Sequence, residues 1–162
     1  MAEEAKGSAS GSGRSELKER LAEDMRAALK AGEKIKLGAL RLLSASVKNR
    51  EVELRRPVDD REFVEVAVKE VKRRKEAIEA SRGAGRDDLV AKESEEQRVL
   101  ETYLPAALSE EELSALIEEA VAATDAGGPA DLGKVMGHVM GKARGRVDGK
   151  LVQERVRERL SG

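Results

Sequence analysis

Between Gly133 and Gly145 the chain reads GKVMGHVMGKARG, so that Gly133, Gly137, Gly141 and Gly145 recur every four residues in a stretch otherwise patterned as a helix. Each glycine in a helix interior costs about 1 kcal/mol relative to alanine. Several on one face therefore point to close approach by another backbone. Cations flank the run: Lys134 near its start, then Lys142, Arg144, Arg146 and Lys150. Flexible cations beside an approachable backbone suit phosphate, and nucleic-acid affinity rests mostly on such contacts. Phe63 and Tyr103 are the only aromatic residues, too few for stacking on unpaired bases to dominate. Shape recognition of folded, duplex-rich RNA fits better. A second basic cluster, Lys72, Arg73, Arg74 and Lys75, lies earlier in the chain. On residues alone a blander reading stands beside this one: the glycines serve helix packing, and the cations pair with the acidic segment 109–131.

Other chemistry is excluded more readily. GPADLGK over 128–134 fits the frame of a phosphate-binding loop, but Val135 stands where a hydroxyl must reach magnesium, and an amphipathic helix precedes it instead of a strand. His138 has no second histidine and no cysteine to complete a metal site or a catalytic pair. Glu110, Glu111 and Glu112 read as first-turn acids that complement a helix dipole, and Glu118 and Glu119 as a solvated face. Met136 and Met140, at helical spacing, read as core. No catalytic residue, metal site or cofactor is therefore expected.

The elements that must position these residues are helices. The 162 residues are 39% charged and contain no cysteine and no long apolar run, a composition of helices packed through aliphatic side chains in a reducing cytoplasm. A membrane span is not expected. The opening MAEEAKGSASGSG lacks the apolar core of a secretory signal, and residues 1–14 read as a disordered lead. Ser15 caps a first helix with Leu17, Leu21, Met25 and Leu29 on a stripe that stops at Gly32. A second runs from Glu33 to Leu54, with Leu40, Leu43, Val47 and Leu54 on one stripe, Leu37, Ala39, Leu42 and Ala45 widening it, and Pro57 beyond. Asp59 or Asp60 caps a third through about Ala80, with Phe63, Val66, Ala67, Val71 and Ile78 inward. Asp87 starts a fourth that ends near Pro105.

Ser109 and Glu112 form a capping box and open a fifth helix. After AGGP at 126–129 and a candidate cap at Asp131 come two more, one bearing Val135, Val139 and Ala143 and the other Val152 and Val156. The fold class is thus all-α: an N-terminal helical domain over 15–108 and a three-helix tail domain over 109–162. Charge is segregated along it. Net charge is +5 over 14–58, −3 over 59–108, −7 over 109–131 and +5 over 132–162.

The blocks LKERLAEDMRAALKAGEKIKLGALRLL, KNREVELRR, VKRRKEAIEA, AGRDDL, LETYLP, LSEEEL and DLGKVMGHVMGKARGRVDGKLVQERVRERL resemble the YqeY-like proteins, in order, over residues 15–160. Those proteins are similar to the C-terminal part of the B subunit of the glutamine-dependent aspartyl/glutamyl-tRNA amidotransferase. The resemblance implies an N-terminal helical domain, a three-helix tail, and a link to tRNA, because the corresponding amidotransferase tail contacts tRNA and similar modules are appended to an aminoacyl-tRNA synthetase. Gly133, Lys134, Val135, Met136, Gly137, Gly145 and Lys150 match the shared blocks. Gly141 stands where relatives often carry proline, which implies a helix end near 141. The family's label of carbon–nitrogen ligase activity with glutamine as donor belongs to parts of the amidotransferase that have no counterpart in these residues. The expectation is a cytoplasmic, non-catalytic accessory module that binds tRNA, or assists a tRNA-charging or tRNA-modifying enzyme, through Gly133, Lys134, Gly137, Lys142, Arg144, Gly145, Arg146 and Lys150. No DNA or membrane partner is expected. The alternatives are a protein-docking module using the same glycine surface and a subunit of a glutamine-dependent amidotransferase assembly.

Overall fold

In the computed structural model, which describes residues 14–162, the chain is all-α: seven α-helices and one 3-10 turn, with no strand among the described residues. The polar lead lies outside them, apart from Arg14. The helices fall into two compact units, one ending at Tyr103 and the other spanning Leu104–Gly162.

The first unit holds α1 (Glu16–Ala31), α2 (Lys34–Leu54), α3 (Asp60–Gly83) and α4 (Asp87–Glu101). Ser15 accepts from the Lys18 N–H (3.1 Å) at the start of α1, and Gly32, at φ 70°, closes its end by returning its N–H to Leu29. The capping box of α3 pairs the Glu62 N–H with the Asp59 carboxylate (2.8 Å) and the Asp59 N–H with Glu62 (3.1 Å). Glu51 locks the α2–α3 turn by accepting from the Lys18 ammonium (2.7 Å) and the Val58 N–H (3.0 Å). Leu21, Leu40, Leu43, Val47, Val58, Phe63, Ala67 and Leu100 form the buried centre, and Tyr103 closes it with its ring 5.8 Å from that of Phe63. The Tyr103 hydroxyl donates to Asp24. Burial and that carboxylate push the phenol above its ordinary range.

Two apolar stripes differ from expectation. Leu29 is 62% exposed, and Ala28, at 1%, takes its place in the core. Steps of four residues overshoot the 3.6-residue turn by about 40° each, so a stripe starting at Leu17 has rotated outward by Leu29. On α2, Leu37, Ala39, Leu40, Leu43 and Val47 are buried, while Leu42 is 42% exposed and Ala45 faces solvent.

The second unit holds α5 (Glu110–Ala123), the turn Pro129–Asp131, α6 (Leu132–Ala143) and α7 (Gly149–Ser161). Its capping box pairs the Glu112 N–H with the Ser109 hydroxyl (3.1 Å), and the Asp148 carboxylate accepts from the Lys150 N–H (2.9 Å) at the start of α7. Leu113, Ile117, Ala120, Val135, Val139, Ala143, Val152 and Val156 make one core, with Met136 and Met140 packed at its edge. The segment ahead of Ser109 is held by this unit. The Leu108 N–H donates to the Arg146 carbonyl (2.8 Å) and the Arg146 Nε–H to the Ala106 carbonyl (2.9 Å).

Candidate nucleic-acid interface

The sequence of α6 repeats with a period of four: glycine, then Lys or His, then Val or Ala, then Met. Wound at 100° per residue, the period sorts the side chains into columns. Val135, Val139 and Ala143 enter the core. Gly133, Gly137 and Gly141 lie nearly opposite, all exposed, and a Cβ built on any of them meets nothing within 4 Å. The fold itself therefore has no use for these three glycines, and the internal-packing explanation does not account for them. Lys134, His138 and Lys142 run alongside, between glycine column and core. Gly141 and His138, which sequence reasoning set aside, thus stand in line with predicted site residues. Their spacing of four from Gly137 and Lys134 was the available signal.

Gly145 is a different case. α6 runs past Gly141 to Ala143, whose burial holds it in the core, and then turns: Arg144 at φ −56°, ψ 128°, Gly145 at φ 80°, and the Arg146 N–H returning to the Ala143 carbonyl at 2.9 Å. That is a type II turn, which demands a positive φ at its third position. The turn that ends α6, rather than an approaching partner, requires glycine at 145.

Many of the cations have carboxylate partners. Lys142 pairs with Glu119, and the His138 Nε2 lies 3.8 Å from the same carboxylate, buried but without a hydrogen bond. Lys134 reaches Asp131 at 3.8 Å and Arg146 reaches Glu112 at 3.4 Å, while Arg155 and Arg159 pair with Glu110 and Glu118. The −7 and +5 blocks therefore do attract one another within the tail. Hydrogen bonding by Lys142 holds the Glu119 carboxyl below its ordinary range, and Arg159 does the same to Glu118. These side chains remain substantially exposed, and such pairs are worth only about 0–1 kcal/mol each. A phosphate can compete for Lys134 and Lys142 at small cost. Lys150 is exposed and makes no ion pair among the described residues, and Arg144 is also exposed. Arg146 is the exception, since its backbone and guanidinium both tie down the Ala106–Leu108 segment.

The earlier cluster does not form one cationic surface. Arg73 pairs with the buried Glu70 (2.7 Å), which also accepts from Ser46 (2.6 Å), and Arg74 turns inward to the buried Glu96 (3.0 Å). Lys72 and Lys75 face solvent. The loop resembling a phosphate-binding motif is self-occupied: the Asp131 carboxylate accepts from the Gly127 N–H at 2.9 Å. Among the described residues no three His, Cys, Asp or Glu side chains are grouped to hold a metal, and no helix is long and apolar enough to cross a membrane.

The family model for Yqey-like protein matches residues 18–160, from α1 to the last turn of α7. The chain belongs to the YqeY-like family. Among curated relatives it is similar to "Altered inheritance of mitochondria protein 41, mitochondrial" from Eremothecium gossypii, with 36% identity over 98 residues, 59% of this chain and 54% of that protein. The chain thus spans about half the length of that relative.

Proposed function

We propose that the chain is a cytoplasmic, non-catalytic tRNA-binding module, or an accessory to an enzyme that charges or modifies tRNA, and that α6 meets the RNA backbone. The observation that carries this is the exposed column Gly133, Gly137 and Gly141, which has no internal packing role. An alanine at Gly137, in the middle of α6, would stabilise the helix by about 1 kcal/mol, and alanines at Gly133 and Gly141, near its ends, by less. A chain that forgoes this has a use for bare backbone on that side, and the adjoining column of Lys134, His138 and Lys142 suits an approaching phosphate strand. Both aromatic residues are buried in the first unit, in keeping with readout of duplex shape rather than base stacking. The resemblance to the amidotransferase tail supports tRNA as the choice among duplex-rich RNAs.

Titration of purified tRNA over a range of salt concentrations tests this. Affinity is expected to fall steeply with salt, and neutralising each true contact among Lys134, Lys142, Arg144 and Lys150 should flatten the log–log slope by about 0.7–0.9. Arg146 is left intact because its removal disturbs the fold. A flat salt dependence, or a slope unchanged when all four are alanine in a folded protein, removes the site from α6.

A further inference from the structure

α2 carries a second surface that the described residues leave exposed. Lys34, Arg41 and Lys48 recur every seven residues on its outer side, and Gly38, Ala45 and Val52 repeat at the same interval beside them. Seven residues are close to two turns, so each set forms a nearly straight row. Leu42 and Asn49 complete the strip. Its two distinguishing features are independent of each other.

The first is charge. The chain has 31 basic and 32 acidic residues, yet no carboxylate of α2 lies on this strip. Glu51 faces Lys18 and Val58, and Glu53 pairs with Arg50 at 2.9 Å. Lys36 is held near Glu33 at 3.8 Å. Lys34, Arg41 and Lys48, by contrast, make no ion pair among the described residues, Lys48 acting on Glu51 only as a more distant charge.

The second is apolar exposure. Of three exposed large hydrophobic side chains among the described residues, two lie here: Leu42 at 42% and Val52 at 76%. Leu42 rims a hollow of about 310 Å³ together with Ile35 and Gly38 of α2 and Lys92 and Glu96 of α4. Glu96 is already neutralised by Arg74, and the missing side chain of Gly38 keeps the hollow open.

We infer that this strip docks an acidic amphipathic helix of a protein partner. Cations seven residues apart sit about 10.5 Å apart along the axis, the spacing of glutamates every two turns on a facing helix. Gly38 and Ala45 let such a helix approach closely, an apolar anchor of the partner fills the hollow, and unpaired cations steer its acidic flanks into register. Phosphates would leave Leu42 and Val52 unburied. A bilayer would gain only those two side chains, about 15 Å apart with no aromatic residue between them, too little for interfacial insertion. The inference concerns the first unit and is independent of the RNA reading of α6.

A photoreactive amino acid at position 42 or 52, with exposed Glu76 of α3 as the control position, tests it in cells that make the protein. Both sites are exposed, and a thermal melt verifies folding. The expected adduct is a segment of another protein with acidic residues at helical spacing beside apolar ones. As a labelled peptide, that segment should bind the purified full chain at least about tenfold more weakly after Arg41→Glu and Lys48→Glu, as loss of complementary charge requires. Crosslinking to nucleic acid, to lipid, to a second copy of this chain or to a segment without that pattern overturns the inference. So does an adduct yield no higher than the control, or a peptide affinity unmoved by the charge reversals.

Discussion

Glycines at one sequence spacing sit in different backbone settings in α6 and in the turn after it, and single substitutions separate them. Gly137 sits in helical backbone with open space beside it, so Gly137→Ala should stabilise the tail by about 1 kcal/mol. Gly145 sits at φ 80°, and Gly145→Ala should destabilise it by about 1–2 kcal/mol. Denaturant titration of the two variants checks both signs. The four-residue recurrence was plain in the sequence, but the conformation at Gly145 was not. It depends on Ala143 being held in the core and on Arg146 being anchored to the segment before α5, contacts distant in the chain that no local pattern reports. For the same reason Arg146 read as one more cation of the site, whereas its hydrogen bonds to Ala106 and Leu108 make it a clamp of the tail.

Helix starts were the most legible elements because their chemistry is local. Ser15, Asp59 and the Ser109–Glu112 box cap the helices that their residue types announce. Ser109→Ala should cost the tail about 1 kcal/mol, visible as a lower melting midpoint. The box of α3 adds a pH dependence. Arg56, followed by the Asp59 N–H, lowers the Glu62 carboxyl from 4.5 to about 2. A carboxyl depressed in the fold contributes stability above its unfolded value and loses it as pH falls. The contribution of Glu62 should therefore fade between about pH 4.5 and 2, and melts of Glu62→Gln should be insensitive to pH across that window relative to the parent. Helix faces were less legible than helix starts. Leu42 carried the pattern of a core residue, but the packing of α1, α3 and α4 around α2 leaves its side of the helix uncovered.

At the scale of the whole chain, the all-α class follows from composition and periodicity, while the proposed function rests on one exposed face of α6 and the docking inference on one of α2. The segregation of charge has a partial explanation in the tail, where acidic α5 pairs with α6 and α7. The proposed non-catalytic reading predicts that the isolated chain turns over neither ATP nor glutamine, and robust turnover that survives re-purification contradicts it. The RNA assignment itself rests on the bare backbone of α6, so tRNA binding by Gly137→Leu, measured beside a thermal melt, bears on it most directly. A Cβ at this position meets nothing within 4 Å in the free protein, and the substitution leaves every charge in place. Affinity lowered by about tenfold or more, a loss of about 1.4 kcal/mol, with the melting midpoint unchanged or raised is the expected result. Undiminished tRNA affinity in the folded variant would contradict a backbone approach to α6.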